Sequence, residues 1–246
     1  MKRIKTGING LDELIEGGFP EGRSILLTGG CGTGKTIFGM QYIYKGAQDY
    51  NDPGIYVSFD ERPELLRQDM LRFGWDIRKL ETQNMIQIID GTIAKIGFPS
   101  EEQFSLPTTG FDIDKLLLEI LRSNRQIGAK RIVIDSIPAI GLNYDNEKDI
   151  RNAILKLSYL LAKMGLTSIL ITETTQENKY SKYEIEEFVV DGVIVMHYLG
   201  IGTRTNRTMH IRKMRSTKHS ENIHPIEITN EKGIIVKKTQ TEYDEI

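Results

Sequence analysis

An apolar run from Ser24 to Thr28 leads into Gly29-Gly30-Cys31-Gly32-Thr33-Gly34-Lys35-Thr36, and an amphipathic run with Ile37, Met40, Tyr44 and Ala47 on one face follows. Few folds can use such a junction, because a strand must stop and a helix must start within eight residues. The spacing Gly29-x4-Gly34-Lys35-Thr36 fits a loop that turns its backbone N–H groups inward around phosphates. There the helix N-terminus adds a favourable field, Lys35 reaches the β and γ phosphates, and Thr36 Oγ1 ligates magnesium. The alternative is a flexible glycine-rich turn. The bare pattern arises by chance in about one chain in a hundred, and the strand and helix on either side make chance much rarer.

The remaining sequence repeats the same alternation. Short β-branched runs at Gly54 to Phe59, Met85 to Ile89, Arg131 to Asp135 and Thr167 to Thr172 alternate with longer periodic segments. Ile113, Leu116, Leu117, Ile120 and Leu121 share one helical face, as do Ile150, Ile154, Leu157 and Leu161. This order predicts an α/β fold with a mostly parallel central sheet flanked by helices. After about residue 190 the pattern becomes strand, turn, strand, at Gly192 to His197, Thr208 to Met214, Ile226 to Ile228 and Gly233 to Val236. These runs suit C-terminal β-hairpins that extend the sheet. No linker interrupts residues 1–246, so one domain is expected. The stretches Gly91 to Thr109 and Thr174 to Ser181 read as loops of the kind that carries function.

Composition limits the partners. A formal net charge of −2 excludes a surface that is cationic all round, although Arg212 to Lys218 places four basic residues in seven. No apolar run is long enough to span a bilayer, and Met1 to Thr6 lacks the apolar stretch of a secretory signal, so a cytoplasmic location without membrane contact is expected. Cys31 is the sole cysteine and cannot form an internal disulfide. A redox switch there has only Lys35 nearby in sequence to lower the thiol pKa.

A phosphate-binding loop needs an acid at the end of a neighbouring strand to hold magnesium, and Ile132-Val133-Ile134-Asp135 offers one. Asp135 is that candidate, with a helix cap or turn as the alternative. Hydrolysis further needs a base or water-positioning group, and the strand through Ile55 to Phe59 delivers Asp60 and Glu61 at its carboxyl end, where open α/β sheets bind ligands. These acids could equally be the charged start of a helix near Pro63.

Together these motifs resemble the KaiC-like branch of the RecA superfamily, in its single-domain archaeal-type form. The likeness covers nearly the whole chain. It rests on Thr6-Gly7-Ile8-Asn9-Gly10-Leu11-Asp12-Glu13, Gly17-Gly18-Phe19-Pro20, the phosphate loop, Phe59-Asp60-Glu61-Arg62-Pro63 and Phe73-Gly74-Trp75-Asp76. Ile134-Asp135-Ser136, Glu187 to Gly192 and Lys213-Met214-Arg215-Ser216-Thr217-Lys218-His219 extend it. The resemblance implies a RecA-like P-loop NTPase that takes ATP and Mg2+, with Asp60 at the position of the general base and Glu61 beside it. The family usually has Glu-Glu there, so the shorter Asp60 implies either a water held nearer the strand or slower hydrolysis.

The resemblance also implies that Lys213, Arg215 and His219 reach across a subunit boundary toward a neighbour's γ-phosphate. The chain would then form a homo-oligomeric ring, hexameric in the fullest form of the likeness. Ser216 stands where the family prefers glycine. Asn230 takes the place of an Asp near the neighbour's adenine, and Thr172-Glu173 resembles a pair facing the γ-phosphate. The basic segment has two other readings, an edge strand guarded by charge and a nucleic-acid stripe.

Three functions follow from these readings. The first is a magnesium-dependent ATPase acting as a head-to-tail oligomer that couples nucleotide state to an unidentified protein partner. The second is a RadA-like paralogue that binds single-stranded DNA through basic and aromatic loop residues, for which Lys95, Phe98, Lys179, Tyr180, Lys182 and Tyr183 are candidates diluted by several glutamates. The third is a module that holds ATP with little hydrolysis. No hydroxyl is marked by spacing as a phosphoryl acceptor, and no clock function is expected of a chain with one such domain.

Overall fold

The computed structural model describes residues 1–92, 100–107, 112–141, 144, 146–174, 180–201 and 204–239. A short antiparallel pair, β1 (Arg3–Ile4) and β2 (Phe19–Pro20), precedes β3 (Ser24–Gly29) and the helix α1 (Lys35–Tyr50). The chain continues through β4 (Gly54–Ser58), β5 (Ile86–Asp90), β6 (Arg131–Asp135) and β7 (Thr167–Ile171), with the helices Pro63–Leu71, Ile77–Thr82, Ile113–Ile127 and Glu147–Lys163 between them. It ends in β8 (Gly192–Ile201), β9 (Arg204–Met214), β10 (His224–Thr229) and β11 (Gly233–Val236).

The main sheet has the order β11-β10-β9-β8-β3-β7-β6-β4-β5. From β8 to β5 the neighbouring strands are parallel, and β8 through β11 form an antiparallel meander. Parallel strands are buried on both faces, which is why they read as continuous apolar runs rather than alternating ones. One core lies under α1 and takes Tyr56, Val133, Ile169 and Ile171 from the sheet. The other takes Ile55, Val57, Ile132, Ile134 and Leu170 against the helices Ile113–Ile127 and Glu147–Lys163.

Local signals set the helix ends. Asp112 and Asn146 accept N-cap hydrogen bonds from Asp114 N and Asp149 N, and Gly128 ends the first of these helices in the left-handed region at φ 63°. The hairpin β8–β9 is longer than its apolar runs suggested, because main-chain pairing extends out to Ile201↔Arg204 whatever the side chains. Part of the expected loop after β5 packs against the sheet. Phe104 and Leu106 are buried, and Asp90 N donates to Phe104 O while Leu106 N donates to Asp90 O. Lys95, Phe98 and Lys179 lie outside the described residues. No helix among the described residues is long and apolar enough to cross a membrane.

Candidate functional site

The parallel register brings four strand ends together. Ser58 lies beside Asp135, Asp135 beside Ile171, and Leu27 beside Ile171, so the loops that follow β3, β4, β6 and β7 open on one side. They border a cleft of about 650 Å³ lined by Gly32, Gly34, Lys35, Thr36, Asp60, Glu61, Asp135, Ser136, Glu173 and Arg207, among others.

Two glycines of the phosphate loop are fixed by space and conformation. Gly34, the N-cap of α1, has φ 102°, and a Cβ there would lie 2.9 Å from Ile228 Cδ1. A Cβ on Gly29 would lie 2.4 Å from the Met196 carbonyl oxygen on β8. The loop is tied to itself: Thr33 Oγ1 donates to Gly30 O, and Lys35 Nζ donates to Gly29 O and Gly30 O at 2.8 and 2.9 Å. Burial pushes the Lys35 pKa down, against the attraction of Asp135 and Glu173. A phosphate beside this ammonium would supply the missing counter-charge. Cys31 is exposed at the mouth of the cleft and is a free thiol.

Beneath the loop, Asp135 Oδ2 accepts from Thr36 Oγ1 at 2.9 Å and from Tyr56 Oη at 2.7 Å. Burial raises the Asp135 pKa, and the two hydroxyl donors work against that rise. A buried carboxylate paired with a hydroxyl at the foot of a phosphate loop is an all-oxygen donor set, and it fits magnesium. Asp60 Oδ2 accepts from Ser136 Oγ at 2.5 Å across the cleft. The Glu61 carboxyl is pushed up by burial and then by the charges of Asp69 and Asp135. Asp60, Glu61, Thr36 and Asp135, read separately from sequence, therefore lie in one cleft.

Thr172 and Glu173 both line the cleft: Thr172 is buried with its hydroxyl donating to Glu186 Oε1 at 3.2 Å, and Glu173 pairs with Lys182 at 3.7 Å. Sequence reading gave no role to Tyr56 or Arg207, and quoted Ser136 only as part of the Ile134-Asp135-Ser136 run. Arg207 lies over the Tyr198 ring at 4.5 Å, and its Nε donates to Gly32 O. Ser136 could have been found as the residue after a strand-ending acid. Tyr56 sits inside an apolar run and gave no signal.

The basic segment lies elsewhere. In the register Gly29 is beside Met196, whereas Met214, at the end of β9, is beside Gly192 and so level with Ile25. At about 3.3 Å per residue, those four steps put the end of β9 on the order of 13 Å from the phosphate loop, with the chain leading away from it. Lys213 Nζ donates to Glu187 O and Val190 O, and Arg215 pairs with Asp191 at 3.6 Å. His219 Nδ1 lies 3.0 Å from Ser220 O. Ser216 has φ 56°, a conformation that costs a non-glycine residue about 1 kcal/mol and explains a preference for glycine there. Asn230 occupies the exposed turn between β10 and β11, two residues beyond Ile228, which lines its own chain's cleft.

The family model described as ATPase: KaiC matches residues 4–241. The UPF0273 protein MJ1359 of Methanocaldococcus jannaschii is 39% identical over 96% of each chain. The circadian clock oscillator protein KaiC of Thermostichus vulcanus is 35% identical over 94% of this chain, which spans 43% of that protein. Among solved structures, the KaiC-like protein PH0186 of Pyrococcus horikoshii is 46% identical, with a TM-score of 0.83 over 96% of this chain and 99% of that one.

Proposed function

The chain belongs to the KaiC family of ATPases and has their RecA-like α/β fold, and from that premise we propose that residues 1–246 form one domain that binds ATP and hydrolyses it with Mg2+ as a head-to-tail oligomer. The observation that carries this reading is the convergence of Lys35, the Thr36–Asp135 pair and the Asp60–Ser136 pair in one cleft while Lys213 and Arg215 lie at the opposite end of the sheet.

Lys35 exchanges its two loop carbonyls for the β and γ phosphates, and Gly29 to Gly34 present their backbone N–H groups to the same oxygens. Thr36 and Asp135 would hold magnesium, which would supply charge neutralisation at the phosphate oxygens. Asp60 accepts a proton from the attacking water, with the Ser136 hydroxyl fixing its carboxylate, and Glu61 adds negative charge beside it. Arg215, Lys213 and His219 act on the neighbouring chain's γ-phosphate, where a cation meets the charge that develops in the transition state. Asn230 contacts the nucleotide at the same boundary. The oligomer is a ring that couples nucleotide state to a protein partner in the cytoplasm.

Specific activity in Mg2+ and ATP, measured against protein concentration while size in solution is followed, tests this. Activity that rises with assembly supports it. Activity independent of concentration in a chain that does assemble overturns it.

The DNA-binding reading draws no support from the described aromatic residues. Tyr180 lies under Arg212, Tyr183 Oη donates to Pro138 O, and Lys182 pairs with Glu173. A labelled oligonucleotide that shifts at low salt and is released steeply as salt rises would restore it. ATP retained through long incubation with no ADP formed would support the non-hydrolysing module instead.

A further inference from the structure

Tyr56 is placed deep in the β4 strand, fully buried, yet its polar end is aimed at the site. Its hydroxyl donates to Asp135 Oδ2 at 2.7 Å, the same oxygen that accepts from Thr36 Oγ1 at 2.9 Å. Both hydrogen bonds that the Asp135 carboxylate accepts from side chains among the described residues thus fall on one oxygen, and Asp135 itself lines the cleft. Two donors on Oδ2 restrain the rotation of the carboxylate.

The packing is arranged around this ring. The α1 helix crosses the sheet at Gly39, where an added Cβ would lie 2.9 Å from Val133 Cγ1 and 3.4 Å from Tyr56 Cε2. A larger residue on the helix would press on the ring that carries the hydroxyl. A phenylalanine at 56 would fill the same volume without the polar atom, so packing alone does not account for a tyrosine. A buried hydroxyl needs a partner, and here the partner is the candidate metal ligand.

We propose that Tyr56 is a positioning residue for magnesium: its hydroxyl holds Asp135 in the orientation that grips the cation, without touching nucleotide or metal. This rests on the ATPase reading above. Groups that orient a metal's ligands typically change metal affinity about 10- to 100-fold when removed.

The test is binding of a fluorescent ATP analogue to the wild-type chain and to Tyr56→Phe, once in EDTA and once against increasing Mg2+, with thermal unfolding of both chains in EDTA. The expected result is a magnesium half-saturation raised at least about tenfold in Tyr56→Phe, with analogue affinity in EDTA and the thermal midpoint close to wild type. A packing role would instead lower the midpoint and weaken binding in EDTA and in magnesium alike, which overturns the proposal. Equal half-saturation in the two chains overturns it as well. Wild-type binding that magnesium does not change would contradict the ATPase reading itself, a result distinct from either.

Discussion

The two ends of the central sheet handle charge in opposite ways. At the carboxyl ends of β3, β4 and β6, Lys35, Asp60 and Asp135 come from three separate strand ends and face a common cleft. At the far end of β9, Lys213 and Arg215 are spent on their own chain, on the carbonyls of Glu187 and Val190 and on Asp191. The first end gathers charges of both signs around one cleft, and the second pairs its cations with groups of its own chain. On the proposed reading, one chain's cleft supplies most of a phosphoryl-transfer site and a second copy adds the cations at the end of β9.

Four substitutions separate the two ends. The largest effect is expected at the cleft: Lys35→Ala should lose ATP binding and reduce phosphate release at least about 10³-fold, as seen by nucleotide fluorescence and a phosphate assay. At the other end, Arg215→Ala should retain ATP binding and assembly but lower the turnover of the assembled protein about 10³-fold. Equal loss of ATP binding in both variants would erase the distinction between the two ends. Asp60→Asn should lower turnover about 10²-fold with unchanged ATP affinity, since the amide cannot take the water's proton.

The smallest effect is on stability. The Glu61 pKa is raised in the folded state, chiefly by burial, so its favourable contribution is complete below the unfolded carboxylate pKa of about 4.3 and is lost as pH rises through the folded value. Glu61→Gln should therefore unfold about 1–3 °C above wild type near pH 7.5 without nucleotide, and the difference should vanish near pH 4. Glu61 is only partly buried, which keeps the expected shift small.

Much of the nucleotide end was legible in the sequence because its elements are local. The phosphate loop is contiguous, and the acids Asp60 and Asp135 follow apolar runs that end where the strands end. The sheet order was not legible, since the adjacency of β3 to β7 and β8 depends on crossovers between segments far apart in the chain. Tyr56 and Arg207 went unread for the same reason. Tyr56 looks like one more apolar strand residue until β6 is laid beside β4, and Arg207 reaches the cleft only through the β8–β9 hairpin. The basic segment was conspicuous in composition, and the resemblance pointed it at a neighbouring chain; the register adds that it lies at the opposite end of the sheet from its own cleft.

The most direct measurement mixes two inactive chains. Lys35→Ala has a disabled cleft and an intact Arg215, and Arg215→Ala has the reverse. Each is assayed for phosphate release alone and in mixtures of varied ratio, while co-assembly is followed by size. Action across the subunit boundary predicts that the mixtures recover turnover that neither variant shows alone, with a maximum at intermediate ratios. Mixed oligomers that stay inactive at every ratio would contradict it.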